Sequence, residues 1–451
     1  MPEFPFELRI KETSSERGEE TLQCTGLLRA VPGRRQIYDA LWNDIPVIAK
    51  MFSHQISARR HLDREVRGLN QLQKRELNSA APLFYGRTED GRWAVVIRKI
   101  VNSATALKVL TGTTDKQKKL QLLLQVSREL AKHHSKGVVQ KDLHLGNFLQ
   151  AKDQIFVLDP GQMQFFPHPV SKKKSISQLA LLTCCLPAGD TVSVEALCEE
   201  YFKTRGWPVA PSDKNLLEGK MTLHRQRGIR HGLKKCLRTS KRCRRIKTGE
   251  CLAVFDRGFS AQIDPIEFIR HIDTRMDDGH ILKNGNTCYV SRVTCNGADI
   301  VVKRYNHKGI FHSLRHTLKR SRARRGWLHA HHLGMREIPT PQPLAFIERR
   351  KGRLIWNSYL VTRFTNGPSL YHFLRDERVA PEQRASMTQR VKNLLDQMAQ
   401  YRITHGDLKH TNILVTENGP VLTDLDSVRF HRFTWTYRIR SVRDREHLEW
   451  I

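Results

Sequence analysis

Asp407, Asn412 and Asp424 are an acid, an amide five residues on, and a second acid twelve further, in the stretch YRITHGDLKHTNILVTENGPVLTDLDSVRF, Tyr401–Phe430. The chemistry such a set can do is narrow. One carboxylate stays free to orient a hydroxyl and accept its proton, while an amide oxygen and a second carboxylate converge on Mg²⁺. A single acid–amide pair at this spacing carries little information. The same intervals recur in VVQKDLHLGNFLQAKDQIFVLDPGQM, Val138–Met163, as Asp142, Asn147 and Asp159. Two copies, each ending in an apolar run and then an acid, point to a repeated phosphoryl-transfer loop rather than to two unrelated polar loops.

A loop of this kind needs a helix to deliver it and a small sheet to hold phosphates above it, and both stretches are preceded by such signals. Lys116–His134 and Pro381–Tyr401 read as helices with apolar stripes, the second opening on proline. Upstream, IPVIAKMF and DIVVKRY are β-rich runs with Lys50 and Lys303 inside them. A lysine in an apolar strand either faces solvent at a sheet edge or answers an anion; in kinases this position binds the α- and β-phosphates of ATP. Ser57–Leu77 reads as a helix with Leu62, Val66, Leu69 and Leu72 on one face, and Glu65, fifteen residues after Lys50, is the candidate to pair with that lysine. No acid occurs between Lys303 and Glu337. The second lysine therefore finds another partner, or the second copy binds nucleotide differently. Lys409 and His144 each lie two residues after their loop aspartate, within reach of a γ-phosphate or of solvent. Gln140 stands where the second loop has His405, and the turn Lys283–Asn286 is no full glycine-rich loop.

Composition bounds the setting. A chain of 451 residues with 39% hydrophobic content predicts more than one globular domain. The expected organisation is a disordered lead-in over 1–20, one domain over 21–248 and a second over 249–451 with a minimal C-terminal lobe. A formal net charge of +32 calls for an anionic partner. The basic segments 224–247 and 315–325, the second including Arg315, Lys319, Arg320, Arg322, Arg324 and Arg325, read either as solvated faces or as surfaces for an anionic leaflet or a phosphate-rich acceptor. No nucleic-acid-binding motif is evident, so nucleic acid is not the expected partner. No run approaches the roughly 18–20 apolar residues that span a bilayer, and the N-terminus does not read as a secretory signal. Nine scattered cysteines without a C-x-x-C pair read as reduced thiols, and Cys236, Cys243 and Cys251 do not have zinc-ligand spacing.

HGDLKHTNIL with LTDLDS resembles the lipopolysaccharide kinases, the Kdo and heptose kinases of the Gram-negative inner core. SRARRGWLHAHHL with IPTPQPLAFIE is similar to that family's N-lobe, and QKDLHLGNFL with VLDPGQ is similar to the first half of its tandem members. The resemblance implies an α+β fold of two tandem protein-kinase-like domains, each a small antiparallel β N-lobe and a mainly helical C-lobe. It implies ATP and Mg²⁺, and transfer of phosphate to a sugar hydroxyl of lipopolysaccharide core or lipid A at the cytoplasmic face of the inner membrane. By residue it implies Asp142 and Asp407 as bases. Asn147, Asp159, Asn412 and Asp424 would bind metal, Lys50, Lys303 and Lys409 would hold phosphates, and Glu65 would orient Lys50. The departures at Gln140, the second-copy helix and the glycine-rich loop leave open a pseudokinase role for either copy. A protein kinase is a further alternative, weakened by HGD in place of H-R-D and by the absence of an activation segment.

Overall fold

The computed structural model describes residues 3–13, 18–31, 33–53, 57–187, 189–306, 320–352 and 354–446. It divides into two compact units, Met1–Gln226 and Arg227–Ile451. The division falls before the expected boundary at 248 because strand Cys243–Lys247 pairs with Cys251–Asp256 and so belongs to the second sheet.

The first unit opens with six antiparallel strands, β1 (Phe6–Glu12), β2 (Glu19–Val31), β3 (Arg35–Trp42), β4 (Ile45–Phe52), β5 (Pro82–Thr88) and β6 (Trp93–Arg98), closed in the order β1-β2-β3-β4-β6-β5. Closure comes from β1, which pairs with β2 on one side and β5 on the other. Residues 6–12 are thus no disordered lead-in. Leu8 and Ile10 alternate with charged neighbours and point inward, where Ile10 is fully buried with Leu22, Cys24, Val47 and Ala49. The many charges mask this period-2 pattern in composition, yet a closed sheet leaves no open edge and fills its interior from exactly such alternation on every strand. Helix α1 (Ala58–Lys74) lies between β4 and β5 in sequence and buries Leu62 and Leu69 against Phe52, Val95 and Ile97, while Leu72 joins the core of the helical part.

The helical part follows: β7 (Ser103–Thr105), α2 (Ala106–Gly112), α3 (Lys116–Ser135), β8 (Val138–Gln140), β9 (Phe148–Ala151), β10 (Gln154–Val157), β11 (Met163–Phe165), α4 (Lys172–Thr183), α5 (Thr191–Thr204) and the first part of α6 (Pro211–Lys235), which continues into the second unit. Asp115 caps α3 by accepting from the amides of Gln117 and Lys118. The buried stripe of α3 is Leu122, Leu123, Val126 and Leu130, where the sequence suggests Leu120, Leu123, Leu124 and Leu130, and it packs on α5 through Leu197 and Tyr201.

The second unit carries a seven-stranded antiparallel sheet ordered β12-β13-β17-β18-β16-β15-β14, made of β12 (Cys243–Lys247), β13 (Cys251–Asp256), β14 (His280–Gly285), β15 (Cys288–Cys295), β16 (Ala298–Tyr305), β17 (Pro343–Lys351) and β18 (Leu354–Arg363). Short helices α7 (Arg257–Gln262), α8 (Pro265–Arg270) and α9 (Ile272–Asp277) cover one face through Phe259, Phe268, Ile272 and Met276, so the small-sheet pattern that the sequence suggests over Asp273–Tyr305 begins only at β14, and Asp273 is helical. Helix α10 (Arg322–Gly334) covers the other face through Trp327 and Leu328. Arg315 and Lys319 lie outside the described residues. The chain continues with α11 (Leu370–Arg375), α12 (Pro381–Gln400), β19 (Ile403–Thr404), β20 (Ile413–Thr416), β21 (Gly419–Leu422), β22 (Arg429–Phe430) and α13 (Thr434–Glu446). Its core is Val391, Leu394 and Met398 of α12 against Ile413 and Leu422.

Every named strand ladder is antiparallel, and the mixture of helix and strand is consistent with a kinase-like fold. No described helix is long and apolar enough to cross a membrane.

Candidate active site

In the second unit β19 delivers the chain to Asp407. The loop is held from three directions. His405 is fully buried and its Nε2 donates to the Thr423 carbonyl at 2.9 Å. The amides of His405 and Gly406 donate to the two oxygens of Asp444 on α13, at 2.6 and 2.8 Å. Asn412 Nδ2 donates to the Asp407 carbonyl at 2.7 Å, which turns its Oδ1 away as a free acceptor. The Thr423 amide donates to the Asn412 carbonyl at 2.9 Å, tying the residue before Asp424 to the amide ligand. Asp424 itself adopts φ 54°, ψ 56°, the left-handed region that non-glycine residues enter at a cost and that clusters at functional sites.

The first unit repeats this geometry with different side chains. Asn147 Nδ2 donates to the Asp142 carbonyl at 2.7 Å, and the Leu158 amide donates to the Asn147 carbonyl at 2.8 Å. Asp159 has φ 55°, ψ 54°. Gln140 Nε2 donates to the Leu158 carbonyl at 3.2 Å, the same link that His405 makes to Thr423. The departure at Gln140 therefore keeps the local brace.

The lysines differ. Lys50 on β4 is buried and its Nζ donates to Glu65 Oε1 on α1. Glu65 Oε2 also accepts from the Gly161 amide at 3.3 Å, and a Cβ at Gly161 would meet that oxygen at 2.7 Å. Removing one partner of such a buried pair costs about 3–5 kcal/mol. Asp159 pairs with Arg35 at 3.7 Å. In the second unit Lys303 Nζ donates to Asp424 Oδ1 at 2.6 Å and to Asp426 Oδ2 at 3.3 Å. Asp426 also accepts from Arg322 Nη2 at 2.8 Å and from the Tyr305 hydroxyl. It occupies the loop position of Gly161, two residues past the left-handed aspartate, and faces Gly326 of α10. Helix and loop have exchanged roles: acid on the helix and glycine in the loop in one unit, glycine on the helix and acid in the loop in the other. Burial pushes the Asp426 carboxyl up, but Lys303 and Arg322 outweigh it and hold the group below the usual carboxylate range. Burial lowers Lys303, and Asp426 then Asp424 more than restore it, to a net rise.

The loop acids are more open. Lys409 Nζ lies 2.8 Å from Asp407 Oδ1, and that bond draws the Asp407 carboxyl down against its partial burial. Asp142 is well exposed, with His144 Nε2 at 3.8 Å. The structure thus joins Asp407, Asn412 and Lys409 directly, joins Lys303 to Asp424, and joins Lys50 to Glu65. Sequence reasoning missed Asp426, Tyr305 and Asp444, and it read Arg322 as a base for a phosphate-rich acceptor or a solvated face, whereas its guanidinium pairs with Asp426. The D-L-D triplet and the acid-free stretch after Lys303 were the available signal for Asp426, since a buried lysine needs an acid from somewhere. Asp444 left no local signal.

The donor set fits Mg²⁺: a free amide oxygen and a carboxylate, both oxygen ligands of the kind this ion takes, beside lysines suited to phosphate oxygens. Residues 276–438 match the profile of the lipopolysaccharide kinase (Kdo/WaaP) family. No curated protein matches the chain. Among solved structures, one described as WaaP in complex with acyl carrier protein is 18% identical, with a TM-score of 0.35, over 46% of this chain and 89% of that one.

Proposed function

We propose that the chain is an ATP-dependent phosphotransferase built from two kinase-like domains, adding phosphate to a sugar hydroxyl, of heptose or Kdo type, in the lipopolysaccharide inner core. The observation that supports this reading is that the stretch matching the lipopolysaccharide kinase family contains Lys303 bonded to Asp424 and Asn412 bonded to Asp407, residue types that suit phosphoryl transfer. In this reading Asp407 orients the acceptor hydroxyl and takes its proton, Lys409 neutralises charge beside it, and Lys303 holds phosphate oxygens of ATP. Asn412 Oδ1 and Asp424 hold Mg²⁺, which when bound neutralises the charge developing on the phosphates. In the first unit Asp142, Asn147, Asp159 and the Lys50–Glu65 pair take the same parts. The acceptor is polyanionic, which suits a chain of net charge +32, and the exposed bases of 224–247 suit the anionic cytoplasmic face of the inner membrane.

A second reading makes the first unit a docking module for the glycolipid, favoured by its lying outside the family match. Asp407→Ala and Asp142→Ala separate the two. Core oligosaccharide from cells carrying each variant is weighed by mass spectrometry, with circular dichroism of the purified variant as the check on folding. Loss of one phosphate with Asp407→Ala supports the proposal, and loss with Asp142→Ala as well assigns chemistry to both units. If neither variant changes the phosphate content, the chain is not a core kinase.

A further inference from the structure

Outside the phosphoryl-transfer loops, Cys236, Cys243 and His331 bring their donor atoms within 4.8 Å of one another. They come from three elements. Cys236 follows the last turn of α6, its amide donating to the Gly232 carbonyl at 3.0 Å; Cys243 opens β12; His331 lies on α10. Both thiols are almost completely buried. His331 Nε2 is out of solvent and has no hydrogen-bond partner among the described residues. A buried imidazole nitrogen without a hydrogen-bond partner among the described residues is costly unless something occupies it.

We infer that Cys236, Cys243 and His331 form a binding site for a zinc-class divalent cation. Two thiolates and an imidazole are the donors such an ion takes, and hard cations such as Mg²⁺ disfavour them. Bond lengths of about 2.3 Å to sulfur and 2.0–2.1 Å to nitrogen place the tetrahedral donors roughly 3.6–3.8 Å apart, so donors that lie within 4.8 Å close by about 1.2 Å at most. Three protein donors leave a fourth position for water or another ligand. The surroundings suit the ion. Trp327 fixes two of the donors, its Nε1 donating to the Cys236 carbonyl at 3.0 Å and its ring meeting the His331 ring at 4.3 Å, edge to face. His331 and Arg242 also line an open cavity of about 650 Å³, which gives an ion a way in. Plain thiol packing is the competing account, and the same unit supplies the contrast. Cys251, Cys288 and Cys295 are equally buried in the sheet and have no place in the cluster. The spacing of Cys236, Cys243 and Cys251 hid the site because the third ligand is the distant His331, not Cys251.

The ion would pin the end of α6 and β12 to α10. That helix carries Arg322 to Asp426 and His329 to the Leu425 carbonyl at 2.8 Å, so the ion would act as a positioning element for the Lys303 cluster.

Metal binding tests this independently of phosphotransfer. The full-length chain, stripped under reducing conditions, is titrated with Zn²⁺ against a chromophoric chelator and separately with Co²⁺. The expected result is about one ion per chain, thiolate-to-cobalt absorption, and a rise in thermal midpoint on adding Zn²⁺. Cys236→Ser and Cys243→Ser each weaken binding by at least about 100-fold, more than loss of an outer partner does, and Cys251→Ser leaves it unchanged. His331→Gln, at the less buried position, reads the same loss if the cysteine variants do not fold. Wild-type chain without thiolate–cobalt absorption overturns the site. So does freshly purified chain with a mass two hydrogens short, mapping to a Cys236–Cys243 disulfide.

Discussion

Lys50 and Lys303 sit at the same place on their strands, the first buried and the second partly buried, and each is paired with carboxylate. The first takes it from α1 and the second from the D-L-D turn. Asp426 is the more heavily used acid, since it accepts from a lysine, an arginine and a tyrosine at once. Its carboxyl is harder to protonate in the folded chain than in the unfolded one, where it titrates near about 3.9. The stability it contributes is therefore present above about pH 4 and is lost as pH falls through the lower folded value. Asp426→Asn is expected to lower the urea midpoint at pH 7, by the several kcal/mol typical of an unpaired buried charge. The gap between variant and wild type should narrow at pH 3. A gap of constant size across that range would mean that packing, not charge, is what Asp426 supplies.

Two elements hold more than their sequences advertise. Strand β1 closes the first sheet, and Ile10 is its most buried residue. Ile10→Ala should cost about 3 kcal/mol, read as a fall in the denaturation midpoint of the full chain, and an effect below about 1 kcal/mol would place β1 outside the cooperative core. Helix α13 lies far along the chain from the loop it braces, yet Asp444 accepts two loop amides there. Asp444→Ala leaves both donors unsatisfied and is expected to reduce phosphotransfer while leaving the helical content measured by circular dichroism in place, because the loss falls on the position of Asp407. Unchanged activity in Asp444→Ala would make the brace dispensable.

At the scale of the molecule, charge is distributed rather than hidden. Arg230, Lys234, Lys235, Arg238, Lys241 and Arg244 are all exposed along α6 and the run into β12. Each base near an anionic leaflet is worth about 1 kcal/mol, and the attraction fades within the Debye length. Sedimentation with vesicles containing anionic lipid should therefore be strong at low salt and weak at high salt, and Lys234→Glu with Lys235→Glu should weaken it further. Salt-insensitive sedimentation, or none, would leave the net charge to serve the polyanionic acceptor alone.

The chain by itself determined the repeated loops, because an acid, an amide and an acid at fixed intervals are a local pattern. It determined the helices that deliver those loops, α3 and α12, because apolar periodicity is local too. It showed that Lys303 lacked an acid nearby. What it did not contain in readable form was the identity of every group brought in from a distance. Asp426 reaches Lys303 across 123 residues, and His331 lies 88 residues beyond Cys243. Asp444 approaches its loop from a helix with no motif. Such contacts depend on how strands order in a sheet and which face a helix covers, and those choices are made by burial summed over whole elements. The tertiary structure alone therefore decided that the second lysine is paired, and that two cysteines of unremarkable spacing meet a histidine.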